Sequence, residues 1–155
     1  MHQTPRTHGR ITLAEPPGPV KRREKTNAMR VRKAGGWAAV ASVMWMAVIF
    51  GLSSLPGGAV PGRYGSLGHF AVYAVLGGLY FTALAARMPR MRAAWIAIAI
   101  ASAYGVTDEF HQSFVPGRVP DPADWLVDTA GAAAAVITLV LLTSSRRRLP
   151  DHTAS

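Results

Sequence analysis

Between Trp37 and Leu52 the chain carries a single polar side chain, Ser42. A helix built from that stretch has no polar stripe to turn toward water, so it must be surrounded by apolar groups or by lipid. It belongs to one of four apolar runs, at residues 36–55, 67–86, 93–114 and 123–143. Each is near the ~20 residues that cross the hydrocarbon core of a bilayer. The first two are apolar almost all round. The third is apolar only to Thr107, and the fourth carries Asp124 and Asp128 at its start and is clean afterwards. A soluble four-helix bundle needs a polar stripe along every helix, and the first run excludes that. The expected fold is therefore all-α: a polytopic membrane protein, a bundle of four transmembrane helices.

The flanking segments differ in kind. Residues 1–33 hold Pro5, Pro16, Pro17 and Pro19, many charges and few large apolar groups, and are expected to be disordered. Met29 stands as a second possible start, which would leave Arg30, Arg32 and Lys33 at the membrane. The first apolar run is too long for a signal-peptide core and begins too far in. Residues 144–155 form a short basic tail. A net charge of +9 invites a nucleic-acid reading, but its distribution argues against that. Nine of the 17 Lys and Arg fall in residues 1–33, three are Arg87, Arg90 and Arg92, and three are Arg146, Arg147 and Arg148. The remaining two loops hold one each, Arg63 and Arg118. The positive-inside rule then puts both termini in the cytoplasm of a multi-pass cell-membrane protein. The loops at 56–66 and 114–123 face outside. Trp37, Trp45, Trp95 and Trp125 sit mostly near span ends, as interfacial aromatics do. The chain has no cysteine, so disulfides and thiolate metal sites are excluded.

Against this background the acidic residues stand out. Five of the chain's eight fall between Asp108 and Asp128. A charge at the centre of a membrane helix costs roughly 2.5–3.5 kcal/mol on insertion scales, so a cluster of them implies a use. Topology brings them together. His69 opens the second span, Asp108, Glu109, His111 and Gln112 close the third, and Asp124 and Asp128 open the fourth, all on the outer side. Helical spacing puts Tyr104, Asp108, His111 and Gln112 on one face, Asp124 and Asp128 on another, and His69 with Tyr73 on a third. Glu109 points away from His111 and is expected to meet water. Gly131, Ala132 and Ala135 share the face of Asp124 and Asp128, and Gly77 and Gly78 offer a matching small surface for close helix approach. Pro116-Gly117 suits the centre of a type II turn, and Pro120 and Pro122 stiffen the loop further. Such a loop can hold Arg118 over the acidic cluster, where a guanidinium grips carboxylate or phosphate in a fork.

The run Asp108-Glu109-x-His111-Gln112-x-Phe114-Val115-Pro116-Gly117-Arg118, followed by Asp124-Trp125-x-x-Asp128-x-x-Gly131, closely resembles the signature of VanZ-like membrane proteins. The upstream Gly68-His69-Phe70-x-x-Tyr73-x-x-Leu76-Gly77 is similar to that family's second-span motif. The resemblance covers residues 36–143. It implies site positions at His69, Tyr73, Asp108, Glu109, His111, Gln112, Arg118, Asp124, Asp128 and Gly131. The family's founding member is associated with resistance to the glycopeptide teicoplanin. This chain departs from the family pattern at Ser66-Leu67-Gly68, where many members have a charged residue before the His, and at Thr129-Ala130, where many have Asn.

Three uses of the cluster follow. In the first, Asp108, Asp124 and Asp128 pair with Arg118 and His69 and only tie helix ends together. In the second, the cluster is a ligand site at the outer leaflet. There Arg118 holds an anionic lipid headgroup or cell-envelope precursor, while Asp108, Gln112 and Asp124 orient it. In the third, Asp108, His111, Asp124, Asp128 and His69 ligate a divalent metal of a membrane enzyme and Glu109 acts as base. No His-Glu-x-x-His, Gly-x-Ser-x-Gly or phosphate-cradling glycine loop is present, so the sequence assigns no metal ligand set, cofactor or catalytic residue. Membrane lipids are the expected partners, and an accessory role beside another membrane protein remains open.

Overall fold

The computed structural model describes residues 19–56 and 62–145. Four helices follow one another: α1 (Pro19–Ser53), α2 (Gly62–Ala85), α3 (Arg90–Gln112) and α4 (Pro122–Ser145). No strand occurs among the described residues. The all-helical expectation holds. Three helices, α1, α2 and α4, are long and apolar enough to cross a membrane. The third is not among them, because Arg90 and Arg92 at its start and Asp108 and Glu109 near its end dilute its apolar stretch.

The solvent-facing pattern is that of a protein dissolved in lipid. Trp37, Met44, Trp95, Phe110, Leu126 and Leu141 all lie more than half exposed. Only 22–28 % of the most apolar stretch of each candidate span is buried inside the protein. In water such a surface would be one large aggregation patch. The interior is instead lined by small residues. Ala93, Ala97 and Ala101 of α3 and Ala132 of α4 are fully buried. A Cβ on Gly77 would stand 2.8 Å from the Ala132 backbone, and one on Gly131 would run into the Phe70 carbonyl. These two glycines let α2 and α4 approach backbone to backbone, where dispersion takes over the role that hydrophobic exclusion plays in water.

Polar fasteners supplement the packing. Trp45 Nε1 donates to the Val72 carbonyl (2.8 Å), Tyr104 Oη to the Met46 carbonyl (2.8 Å), and Trp125 Nε1 to the Ser102 carbonyl (3.2 Å). Trp45 and Trp125 are thus inter-helix struts as well as aromatics near span ends, whereas Trp37 and Trp95 stay exposed. Ser42, the lone polar group of its run, returns its hydroxyl to the Ala38 carbonyl one turn back (2.8 Å).

The basic segment before the first span is where the reading needs correction. Residues 19–33, expected to be disordered, continue α1 as helix. Lys, Arg, Glu, Ala and Met dominate this stretch, and all are good helix formers. The apolar part of α1 supplies a nucleus, so each added turn costs only propagation. Residues 1–18 and the tail from residue 146 lie outside the described residues.

α3 runs the full length of the bundle. At one end Arg90 bonds the Ser144 hydroxyl of α4 (3.0 Å), and at the other Asp108 reaches Ser53 of α1 (2.9 Å). α2 packs against all three other helices, and α1 rests mainly on α2. Neighbouring helices run antiparallel, so the end of α1, the start of α2, the end of α3 and the start of α4 share one end of the molecule.

Candidate functional site

That shared end encloses a cavity of about 430 Å³, walled in part by Ser53, His69, Asp108, Gln112, Arg118 and Asp124. Its construction begins with the loop between α3 and α4. Val115 to Arg118 form a turn closed by the Arg118 amide on the Val115 carbonyl (3.1 Å). Gly117, at the third position, has φ 74°, which is the type II geometry that Pro-Gly specifies. Asp121 then caps α4. Its Oδ1 accepts from the Ala123 amide (2.8 Å), with Pro122 at the first helical position. The Asp121 amide itself donates to Glu109 Oε2 (2.9 Å), pinning the start of α4 to the end of α3.

Two polar groups result. The first is a relay. Ser53 Oγ donates to Asp108 Oδ2 (2.9 Å), Gln112 Nε2 donates to the same oxygen (3.1 Å), and Arg118 donates to Gln112 Oε1 (3.4 Å). Asp108 and Gln112 are buried. Arg118 spends its other bonds on the carbonyls of Leu55 (3.2 Å) and Leu52 (3.5 Å). It therefore sits at the C-terminal end of α1, the negative end of that helix, sharing the Leu52 carbonyl with the Leu55 amide (3.2 Å). No carboxylate lies within ion-pair distance of Arg118 among the described residues; the ion pair they contain is His69–Asp128.

The second group is deeper. His69 Nδ1 meets Asp128 Oδ1 at 3.0 Å. Asp128 is fully buried, and its Oδ2 has no hydrogen-bond partner. Glu109 Oε1 is likewise buried and unpartnered. One donor atom from each of His69, Glu109 and Asp128 lies within 4.8 Å of the others. Gly105 lets Asp128 pack closely against α3, since a Cβ there would stand 3.2 Å from Oδ2. Tyr73 is also fully buried with an unpartnered hydroxyl, packed 6.2 Å from the Tyr104 ring between centroids.

The nine expected site residues thus separate. Asp108, Gln112 and Arg118 form the relay. His69, Glu109 and Asp128 form the deep cluster. Asp124 lines the cavity and accepts from Ser66 (3.4 Å). Tyr73 is core. His111 leaves the cluster altogether: it stacks on Phe50 of α1 (4.2 Å between centroids) and meets Ser54 Oγ at 3.0 Å. The expectation that Glu109 meets only water while His111 faces the site is reversed. α3 is clasped by α1 on one flank and by α2 and α4 on the other, so both flanks face protein. Direct pairing of Arg118 with Asp108 or Asp124 is replaced by the Gln112 bridge and the carbonyls of Leu52 and Leu55. The metal set drawn from Asp108, His111, Asp124, Asp128 and His69 does not assemble, because Asp108, His111 and Asp124 are each engaged elsewhere. Sequence reasoning missed Ser53, Ser54 and Ser66, whose only signal is that hydroxyls interrupt apolar runs at the level of the acids.

A family model described as VanZ/LLP1 matches residues 21–143. No curated protein and no solved structure matches the chain significantly.

Proposed function

The chain belongs to the VanZ/LLP1 family, and from that premise we propose that this VanZ-like membrane protein holds the anionic headgroup of a lipid or lipid-linked envelope precursor in the cavity at the outer membrane face. The observation that carries the proposal is the placement of Arg118. Arg118 lines the cavity, fixed by Gln112 and by the carbonyls of Leu52 and Leu55 at and just past the end of α1, with no carboxylate in ion-pair contact among the described residues. Three of its five N–H groups are used in those bonds, which leaves donors for a phosphate or carboxylate. Asp108 acts through Gln112 to hold the arginine's position.

The reading includes a fourth crossing. α3 traverses the bundle from Arg90 to Gln112 in contact with α2 and α4, and its charges lie at its two ends. With four spans the basic segments at residues 19–33, 87–92 and 146–148 face the cytoplasm and the cavity faces outward. From the resemblance to VanZ-like proteins, a contribution to glycopeptide resistance belongs to the same proposal.

The test is mass spectrometry of lipids that co-purify with wild type and Arg118→Ala. Enrichment of an anionic lipid in wild type and its loss in the variant is the expected result. An identical lipid profile in a folded, inserted Arg118→Ala protein overturns the proposal. Teicoplanin susceptibility of cells expressing each form gives the physiological readout.

A further inference from the structure

The deep cluster is built unlike a set of helix fasteners. Three donors of two kinds, an imidazole and two carboxylates, converge from α2, α3 and α4 to within 4.8 Å. The relay satisfies its one carboxylate, Asp108, with two donors on Oδ2. The deep cluster leaves a carboxylate oxygen bare on each of its two acids, Asp128 Oδ2 and Glu109 Oε1, both buried. An unpartnered polar atom in an interior costs about 1–3 kcal/mol, more for a charged group. His69 is the cluster's one possible cation, so with both acids ionised the cluster remains negative even when His69 is protonated. Gly105 lets α3 pass close to Asp128, since a Cβ there would stand 3.2 Å from Oδ2.

We infer that His69, Glu109 and Asp128 bind a divalent transition-metal cation of the zinc or manganese kind. An imidazole with two carboxylates suits these ions, whereas calcium prefers six to eight oxygens. Ligands at about 2.1 Å from a tetrahedral ion stand ~3.4 Å apart, so a side-chain closure of about an ångström from the present spacing seats all three. Three protein ligands leave positions open for water or for a ligand in the cavity, which His69 also lines. The cation would neutralise the buried carboxylates and satisfy the oxygens that no protein group reaches. This inference does not rest on the headgroup reading, since none of its ligands is Arg118.

The test is titration of the untagged, full-length protein in detergent, stripped with chelator, using Zn²⁺ and Mn²⁺ separately, with bound metal counted by elemental analysis. Wild type is expected to take up one ion per chain and to gain thermal stability as it does so. Glu109→Gln and His69→Gln are each expected to weaken binding at least tenfold, while Arg118→Ala keeps it. Glu109 is partly exposed and its amide is close in shape, so Glu109→Gln decides the matter even where Asp128→Asn fails to fold. Absence of stoichiometric binding to wild type overturns the inference, as does binding left unchanged by both variants. Loss of lipid enrichment in Arg118→Ala with metal binding intact separates the two sites.

Discussion

At Gly131 an added methyl group would overlap the Phe70 carbonyl of α2, which is backbone and has no rotamer to retreat into. Gly131→Ala is expected to cost about 1–3 kcal/mol, the range for overpacking a close contact, and to lower the melting temperature in detergent. Gly78→Ala serves as the comparison. Its Cβ would meet only the end of the Leu139 side chain, at an ordinary 3.6 Å. Arg118→Ala removes a cation from the end of α1 and is expected to cost ~0.3–1 kcal/mol of stability, a loss that Lys at 118 restores only in part because a point charge cannot reproduce the fork. At this scale the sequence was most legible where spacing alone decides. Asp108 and Gln112, four apart, do share a bonded face. It was least legible at Glu109 and His111, because helical periodicity places residues on flanks but says nothing about which neighbour each flank meets.

Among the elements, the loop before α4 is the one whose local chemistry could be read to the level of backbone angle. Pro116-Gly117 implies a type II turn, and Gly117 has the positive φ that such a turn requires. Gly117→Ala would put a Cβ in the left-handed region at a cost of roughly 1–2 kcal/mol. The expected outcome is a displaced Arg118 and a fall in recovered anionic lipid, measured beside a fold check by circular dichroism. The opposite case is α3, whose charged ends hide its role from any measure of mean apolarity while its packing along α2 and α4 reveals it. The helical continuation of α1 back to Pro19 was also hidden, because charge and proline content signal the absence of a core, not the absence of a helix propagated from one.

For the whole molecule, the arrangement of basic segments makes a topological prediction. A reporter fused after Ser155 should read cytoplasmic, and one inserted in the loop at 56–66 should read external. A reversed pattern would put the cavity on the inner face. The bundle's walls are unequal in strength. α1 packs on α2, meets α3 only sparingly and does not contact α4. The joint between α1 and α3 includes Ser53 on Asp108, Ser54 with His111, the His111 ring on Phe50 and, further along, Tyr104 on the Met46 carbonyl. Arg118 reaches across to the Leu52 and Leu55 carbonyls at and just past the end of α1. Separating helices joined by a few hydrogen bonds costs less than opening a packed apolar seam. On the proposed reading, the side of the cavity between α1 and α3 is therefore the cheapest to part, and a two-tailed molecule entering there would keep its tails in the bilayer throughout.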